Sequence, residues 1–447
     1  MTGATTLPLV AGEQSFMAAG ECLVRRSVLP SGLRILSERV PGARSATIGF
    51  WVTAGSRDEA PDEYGSTHFL EHLLFKGTHK RTALDIAVSF DAVGGEHNAI
   101  TAKEYTCYYG RVRDSDVPMA IEVLADMITS SVIDPDEFET EREVILEEIA
   151  MAEDDLGDVA SERFFEALFG DHSLGRPIGG SPQTIREATR EGVWHHYRRN
   201  YSPNRLVVTV AGAVDHDELV EAVQRHLTLG GWDLDTHAEP APRRDAEQAV
   251  PATASSTLIV PRPSEQANIL MGVRGLAATD ARRSTLSVLN SVLGGGMSSR
   301  LFQQIRERRG LAYSVYSFSP SYSDAGVLGM YAGCSPAKAE SVAALMLEEF
   351  RSIGTGGILP SELDRAVGQM GGASALALED SDTRMSRLGR AEITMGEFVD
   401  LDEALRRLSL VTIDDVADLG AELASRPVSL AAVGSVADGM FITAEGA

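Results

Sequence analysis

A chain of 447 residues, 43% apolar and 6% aromatic, is long enough for two ordinary hydrophobic cores and has the composition of a globular protein. Its 65 acidic against 40 basic residues leave a formal charge of −25, which argues against nucleic acid or an anionic membrane as partner and suits basic or unstructured peptides. The three cysteines, Cys22, Cys107 and Cys334, are far apart and in no CxxC pair, so neither a disulfide framework nor a thiolate metal site is indicated, and a reducing cytoplasm is the expected compartment.

In chain order, residues 1–20 hold no Lys or Arg, lack the pattern of a secretory signal or transit peptide, and are expected to form a flexible lead-in. No apolar run approaches the roughly 18 residues of a membrane span. Two α/β stretches follow, 21–231 and 257–447. They are divided at 232–256 by a segment in which Pro, Ala and charge replace apolar periodicity, as in an exposed linker. Each stretch opens on a strand (ATIGFWVTAG; NILMGVRGL), passes through helices and a middle strand, and closes on a strand (VVTVAGAV; VSLAAVGSV). That order predicts an α+β fold of two homologous domains, each a mostly antiparallel sheet with helices packed on it. A shift of 222 residues supports the homology: it lays Gly212 on Gly434, Tyr109 on Tyr331 and MAIEVLADMI on SVAALMLEEF.

Residues 65–81, GSTHFLEHLLFKGTHKR, predict a short helix buried through Phe69, Leu70, Leu73 and Leu74, with His68, Glu71 and His72 on a neighbouring face. Burying such groups is costly unless each finds a partner. Residues four apart share a helix face, so His68 and His72 can direct two nitrogens at one metal ion, and Glu71 is placed to take a proton from a water held there. The 222-residue shift sets His68 on Asn290, Glu71 on Leu293 and His72 on Gly294. A second copy that builds the helix without the polar trio marks the trio as chemistry rather than architecture.

Further on, GGEHNAITAKEYTCYY (94–109) reads as a turn and a strand, and DPDEFETEREVILEEIAMAEDD (134–155) as a carboxylate-rich helix. On that helix Phe138, Ile145 and Ile149 form the apolar stripe, with Glu141 and Glu148 on its shoulder. Either glutamate could supply a third ligand; helical position leaves both open. In the second stretch, LGGGMSSRLFQQIRERRGLAYSVYSF (293–318) predicts a helix capped at Gly310 and then a strand, without the Gly-Lys-Ser/Thr of a phosphate loop.

With the His-x-x-Glu-His box and the Glu-rich helix about 75 residues later, the chain resembles the insulinase (pitrilysin) superfamily of zinc peptidases. Its two-domain length resembles the mitochondrial processing peptidase β-type branch and its bacterial relatives. The resemblance implies a processing-peptidase-like metallohydrolase fold and one zinc per chain held by His68, His72 and Glu148, the family's third ligand standing about 76 positions after its second histidine. Glu141 would then support a ligand from behind. By the same resemblance Glu71 is the catalytic base, Asn98 and Ala99 lie on an edge strand that holds extended substrate, and Arg306 and Tyr313 contact substrate and steady the tetrahedral intermediate. The Gly294, Gly295, Gly296 run would be a substrate loop. One chain carrying both box and loop implies a homodimer. The implied activity is that of a cytoplasmic zinc metalloendopeptidase cleaving peptides or unfolded segments in a closed acidic chamber, with no nucleic-acid or membrane partner. A non-catalytic core-type subunit of the same fold and a zinc amidohydrolase for small substrates are the alternatives. The complete box weighs against the first, and the Asn98 strand with Arg306 and Tyr313 against the second.

Overall fold

The computed structural model describes residues 3–244, 254–437 and 439–441. Strands among these residues are β1 (Ala4–Thr6), β2 (Gly12–Ala18), β3 (Cys22–Val28), β4 (Arg34–Arg39), β5 (Ser45–Val52), β6 (Glu96–Thr101), β7 (Thr106–Arg113) and β8 (Leu206–Gly212). They continue as β9 (Thr257–Pro261), β10 (Ala267–Arg274), β11 (Ala312–Phe318), β12 (Val327–Cys334), β13 (Glu397–Val399) and β14 (Ser429–Gly434). A seven-stranded sheet runs in the order β2-β3-β4-β8-β5-β7-β6, a five-stranded sheet in the order β11-β12-β10-β14-β9, and β1 pairs with β13. Among the described residues only β4·β8 and β14·β9 are parallel. Both sheets are therefore mixed but mostly antiparallel, with helices packed on them, the α+β architecture read from the order of elements.

Two compact units carry the sheets. The first joins Met1–Ile149, Pro177–Arg243 and Ala375–Glu403; the second joins Ala150–Arg176, Arg244–Ser374 and Ala404–Ala447. The boundaries expected at 21–231 and 257–447 are corrected accordingly, and the reason is burial. In the first unit the helix Ser381–Arg390 lies on β4, β5 and β8, where Met385 and Leu388 cluster with Trp51, Val207, Ala211 and Phe398. In the second the helix Leu156–Phe169 lies on β10 and β14, where Phe164 and Leu168 join Leu270, Ala431 and Val433. A sheet with two apolar faces needs cover on both. Here one face of each sheet is covered by a helix from the opposite half of the sequence.

The flexible lead-in is likewise corrected. β2 pairs antiparallel with β3, Leu7 is buried, and Phe16 packs against Phe398 at 5.5 Å between ring centroids. Along β2, Gln14, Phe16 and Ala18 turn inward while Glu13, Ser15 and Met17 are exposed, the period-two alternation of a half-buried strand. The expected linker 232–256 carries no helix or strand where it is described, and its residues 245–253 lie outside the described residues, as do residues 1 and 2.

The internal repeat extends to the elements themselves. The 222-residue shift carries β5 onto β10, β4 onto β9, β8 onto β14, and the helix Val117–Ser130 onto Ala339–Gly356. Under the same shift the two exchanged helices are equivalents of each other. Gly212 and Gly434 end equivalent strands at φ of +123° and +138°, and a Cβ there would stand 2.2 Å from the Ser45 carbonyl oxygen and 2.6 Å from that of Gln266. Only glycine fits either corner.

Two buried imidazoles tie the first unit's stability to pH. His216 is bracketed by the Ser27 and Ser37 hydroxyls at 2.9 and 2.8 Å, and His196 by Thr67 at 3.3 Å. Burial lowers the pKa of each to about 4 from the ordinary 6.5, Arg25 adding to the effect at His216 and the Glu63 carboxylate opposing it at His196. Between those values the unfolded chain binds more protons, so stability is full above pH 6.5 and is lost as pH falls toward 4. Urea midpoints are expected to drop across that window. His216→Gln should flatten part of the drop, and an unchanged slope would contradict this assignment.

Candidate metal centre

The helix Ser66–Leu74 is held at its start by a carboxylate. Glu59, buried, accepts the Gly65 and Thr67 amides at 3.0 and 2.8 Å, satisfying donors that a helix N-terminus leaves open and complementing its dipole. Phe69, Leu70, Leu73 and Leu74 enter the core against the seven-stranded sheet. Phe69 stacks on Phe138 of the helix Pro135–Asp154, with centroids 4.4 Å apart and planes within 9°. That contact registers the two helices, and their polar shoulders meet beside it.

His68 and His72 stand one turn apart with ring centroids at 4.7 Å. From the facing helix a Glu148 carboxylate oxygen lies 3.4 Å from His72 Nε2 and 3.9 Å from His68 Nε2. Glu141 points elsewhere: one oxygen meets His72 Nδ1 at 2.8 Å and the other meets Lys76 Nζ at 2.5 Å. Glu148 thus faces both histidines, and Glu141 lies behind one of them. Exposure follows the same division, the Glu148 side chain being 47% exposed and that of Glu141 4%.

Burial lowers His68 to about pKa 4, the neighbouring His72 acting in the same direction and Glu148 in the opposite one, so the ring is neutral near pH 7. A carboxylate can only accept, so the proton between His72 and Glu141 sits on Nδ1, and Nε2 is the nitrogen turned toward Glu148. His72 Nε2 and the Glu148 oxygen stand 3.4 Å apart, a spacing that a shared cation would bridge. The ligand atoms of His68, His72 and Glu148 all fall within 4.8 Å of one another. Donors about 2.0–2.2 Å from a tetrahedral zinc stand about 3.4 Å apart, so two imidazoles and a carboxylate so spaced fit a zinc-sized ion with little movement.

Glu71, on the same helix, accepts a hydrogen bond from the Thr101 hydroxyl at the end of β6. Beside it the buried Tyr108 and Tyr201 hydroxyls pair at 2.9 Å, and burial raises the pKa of both, with the Glu71 charge adding to the rise. Asn98 and Ala99 lie on β6, the edge of the seven-stranded sheet, and the Asn98 side-chain oxygen accepts the Ala99 amide at 2.8 Å. In the second unit Arg306 and Tyr313 come together, the guanidinium carbon 4.8 Å from the phenol ring centroid. The second unit's counterpart of the histidine helix, Arg283–Gly294, has no room for a side chain at the position of His72: a Cβ at Gly294 would stand 2.3 Å from the Ser317 nitrogen. Glu59, Lys76 and Thr101 escaped the sequence reading. A carboxylate shortly before a Gly-led helix was a usable signal for Glu59; for Lys76 and Thr101 only tertiary pairing identifies the partner.

The sequence pattern of the Insulinase family (Peptidase family M16) matches residues 34–181, which contain this centre, and that of the Peptidase M16 inactive domain matches residues 187–370. A Streptomyces coelicolor protein, named an uncharacterized zinc protease, is 46% identical over 435 residues, covering 97% of this chain and 94% of its own length. The chain belongs to the insulinase family, M16. Bacillus subtilis YmxG, also named an uncharacterized zinc protease, is 37% identical to this M16 chain across 92% of it and 98% of YmxG. A peptidase M16 inactive domain from Pseudomonas fluorescens shares the fold at a TM-score of 0.82 and 17% identity, covering 95% of this chain and 98% of that one. A protease from Helicobacter pylori does so at 0.81 and 22%, covering 96% and 100%.

Glu141→Gln would leave His72 without its carboxylate partner, and zinc affinity by chelator competition is expected to fall about 10- to 100-fold. Unchanged affinity would mean that Glu141 does not prepare His72 as a ligand.

Proposed function

We propose that this M16-family chain is a zinc-dependent metalloendopeptidase that hydrolyses peptides or unfolded segments. The observation that carries the reading is the convergence of His68 Nε2, His72 Nε2 and the Glu148 carboxylate on one point, with Glu71 on the same helix. These three side chains would hold one zinc per chain, and the ion supplies Lewis acidity to a substrate carbonyl and to water.

The remaining work falls to side chains. Glu71 keeps one oxygen on the Thr101 hydroxyl, and its other oxygen has no hydrogen-bond partner among the described residues. That oxygen takes a proton from the attacking water and returns it to the leaving amine. The free edge of β6 around Asn98 and Ala99 would receive substrate main chain as an added strand, which selects extended peptides with little regard to side chains. Arg306 and Tyr313 of the second unit would offer a cationic and a phenolic donor to bound substrate. A net charge of −25 favours an acidic chamber and basic or unfolded substrates. The pairing of the complete box with the glycine loop in one chain favours a homodimer. No helix among the described residues is long and apolar enough to cross a membrane, and with the scattered cysteines this is in keeping with a cytoplasmic enzyme.

Glu71→Gln is expected to lose about 10²- to 10⁴-fold in kcat on a quenched-fluorescent peptide while keeping the parent's zinc content. A variant as active as the parent would remove Glu71 from proton transfer. A zinc-loaded parent that cuts no peptide in a diverse pool would overturn the peptidase reading.

A further inference from the structure

The second unit holds a cavity of about 310 Å³ among the π-helical turn Phe302–Glu307, the start of β11 and the loop from β12 into the helix Ala339–Gly356. It lies at the small end of ligand sites and suits a side chain or a chain end rather than a folded partner. Its walls carry two cations, Arg306 and Lys338, and no carboxylate. In a chain with 65 acidic and 40 basic residues, that local balance runs opposite to the whole molecule.

Neither cation donates a hydrogen bond to a carboxylate among the described residues. The Arg306 guanidinium carbon lies 4.7 Å from the Phe302 ring centroid and 4.8 Å from that of Tyr313, so aromatic faces hold the fork. Its one carboxylate contact, with Glu307, is at 4.0 Å, beyond hydrogen-bond range, and its N–H groups have no protein acceptor among the described residues. Lys338 gives one proton to the Gly310 carbonyl at 3.0 Å and keeps two. The helix that follows Lys338 adds the positive end of its dipole. Both cations line one small cavity, and a planar guanidinium matches a carboxylate edge to edge.

We infer that this cavity is a carboxylate-recognition site, with Lys338 its specificity-determining residue, and that it selects peptides presenting a C-terminal carboxylate or an acidic side chain. The choice of a peptide as carrier rests on the peptidase reading; the anion preference rests on the cavity.

The test uses full-length, zinc-loaded Glu71→Gln protein, so that binding is read without cleavage. Three short dye-labelled peptides of matched length are titrated by fluorescence anisotropy: neutral with a free C-terminal acid, neutral and amidated, and amidated with one internal Glu. The acid or the Glu peptide is expected to bind about tenfold more tightly than the neutral amide, and whichever does so identifies the source of the carboxylate. Lys338→Met in the same background should erase that advantage and Lys338→Arg should keep it. Equal affinity for all three peptides, or an equal loss for all three in Lys338→Met, overturns the inference. A parent enzyme that cuts none of these peptides counts against the peptidase reading, and a preserved tenfold preference still supports the carboxylate site.

Discussion

The stack of Phe69 on Phe138 is the contact on which the metal centre depends. Each ring is buried, and each belongs to a helix whose polar shoulder begins next to it. With the rings face to face, His68 and His72 on one helix come level with Glu141 and Glu148 on the other. Sliding either helix by one turn, about 5.4 Å, would carry Glu148 past both imidazoles. Arg142 reinforces the register. Its guanidinium lies 4.9 Å from the Phe138 ring centroid and donates to the Ile185 and Ala188 carbonyls, which pins the carboxylate helix from its outer side. A hydrophobic packing preference thus sets the geometry of the polar groups beside it.

The repeat separates architecture from chemistry. Both halves need the strands that correspond under the 222-residue shift, and both need a glycine at the Gly212 and Gly434 corners where backbone presses on backbone. Only the first half needs His68, Glu71 and His72. In the second half the position of His72 is Gly294, packed so closely against Ser317 that a ligand side chain is excluded. One copy carries the polar trio on this helix and the other uses the same helix for close packing. The exchange of the helices Leu156–Phe169 and Ser381–Arg390 ties the halves together in folding terms, because each sheet completes its cover only with the other half's helix.

Much of this was legible in the sequence, for reasons that can be traced to particular residues. The histidine helix announced itself through Phe69, Leu70, Leu73 and Leu74 at helical spacing, and the ligand pair through the four-residue interval between His68 and His72. The carboxylate helix was equally clear, but Glu141 and Glu148 sit two turns apart on one side, so periodicity could not rank them; only the fold shows that Glu148 faces both histidines while Glu141 meets His72 alone. β2 was missed because only Phe16 and Ala18 mark its inward face strongly, with a polar Gln14 in the third inward place. The helix exchange was invisible because periodicity states that a helix has an apolar face without stating which sheet it covers. Thr101 and Lys76 depend on partners 30 and 65 residues away along the chain, and no local pattern encodes such a pairing.

Anomalous diffraction at the zinc edge from crystals of the zinc-loaded protein tests the central claim most directly. The account predicts one strong peak per chain, about 2.0–2.2 Å from His68 Nε2, His72 Nε2 and a Glu148 oxygen, with Glu141 outside bonding distance. A peak ligated by Glu141 instead of Glu148, a second peak beside the helix Arg283–Gly294, or no peak on the two histidines would contradict it.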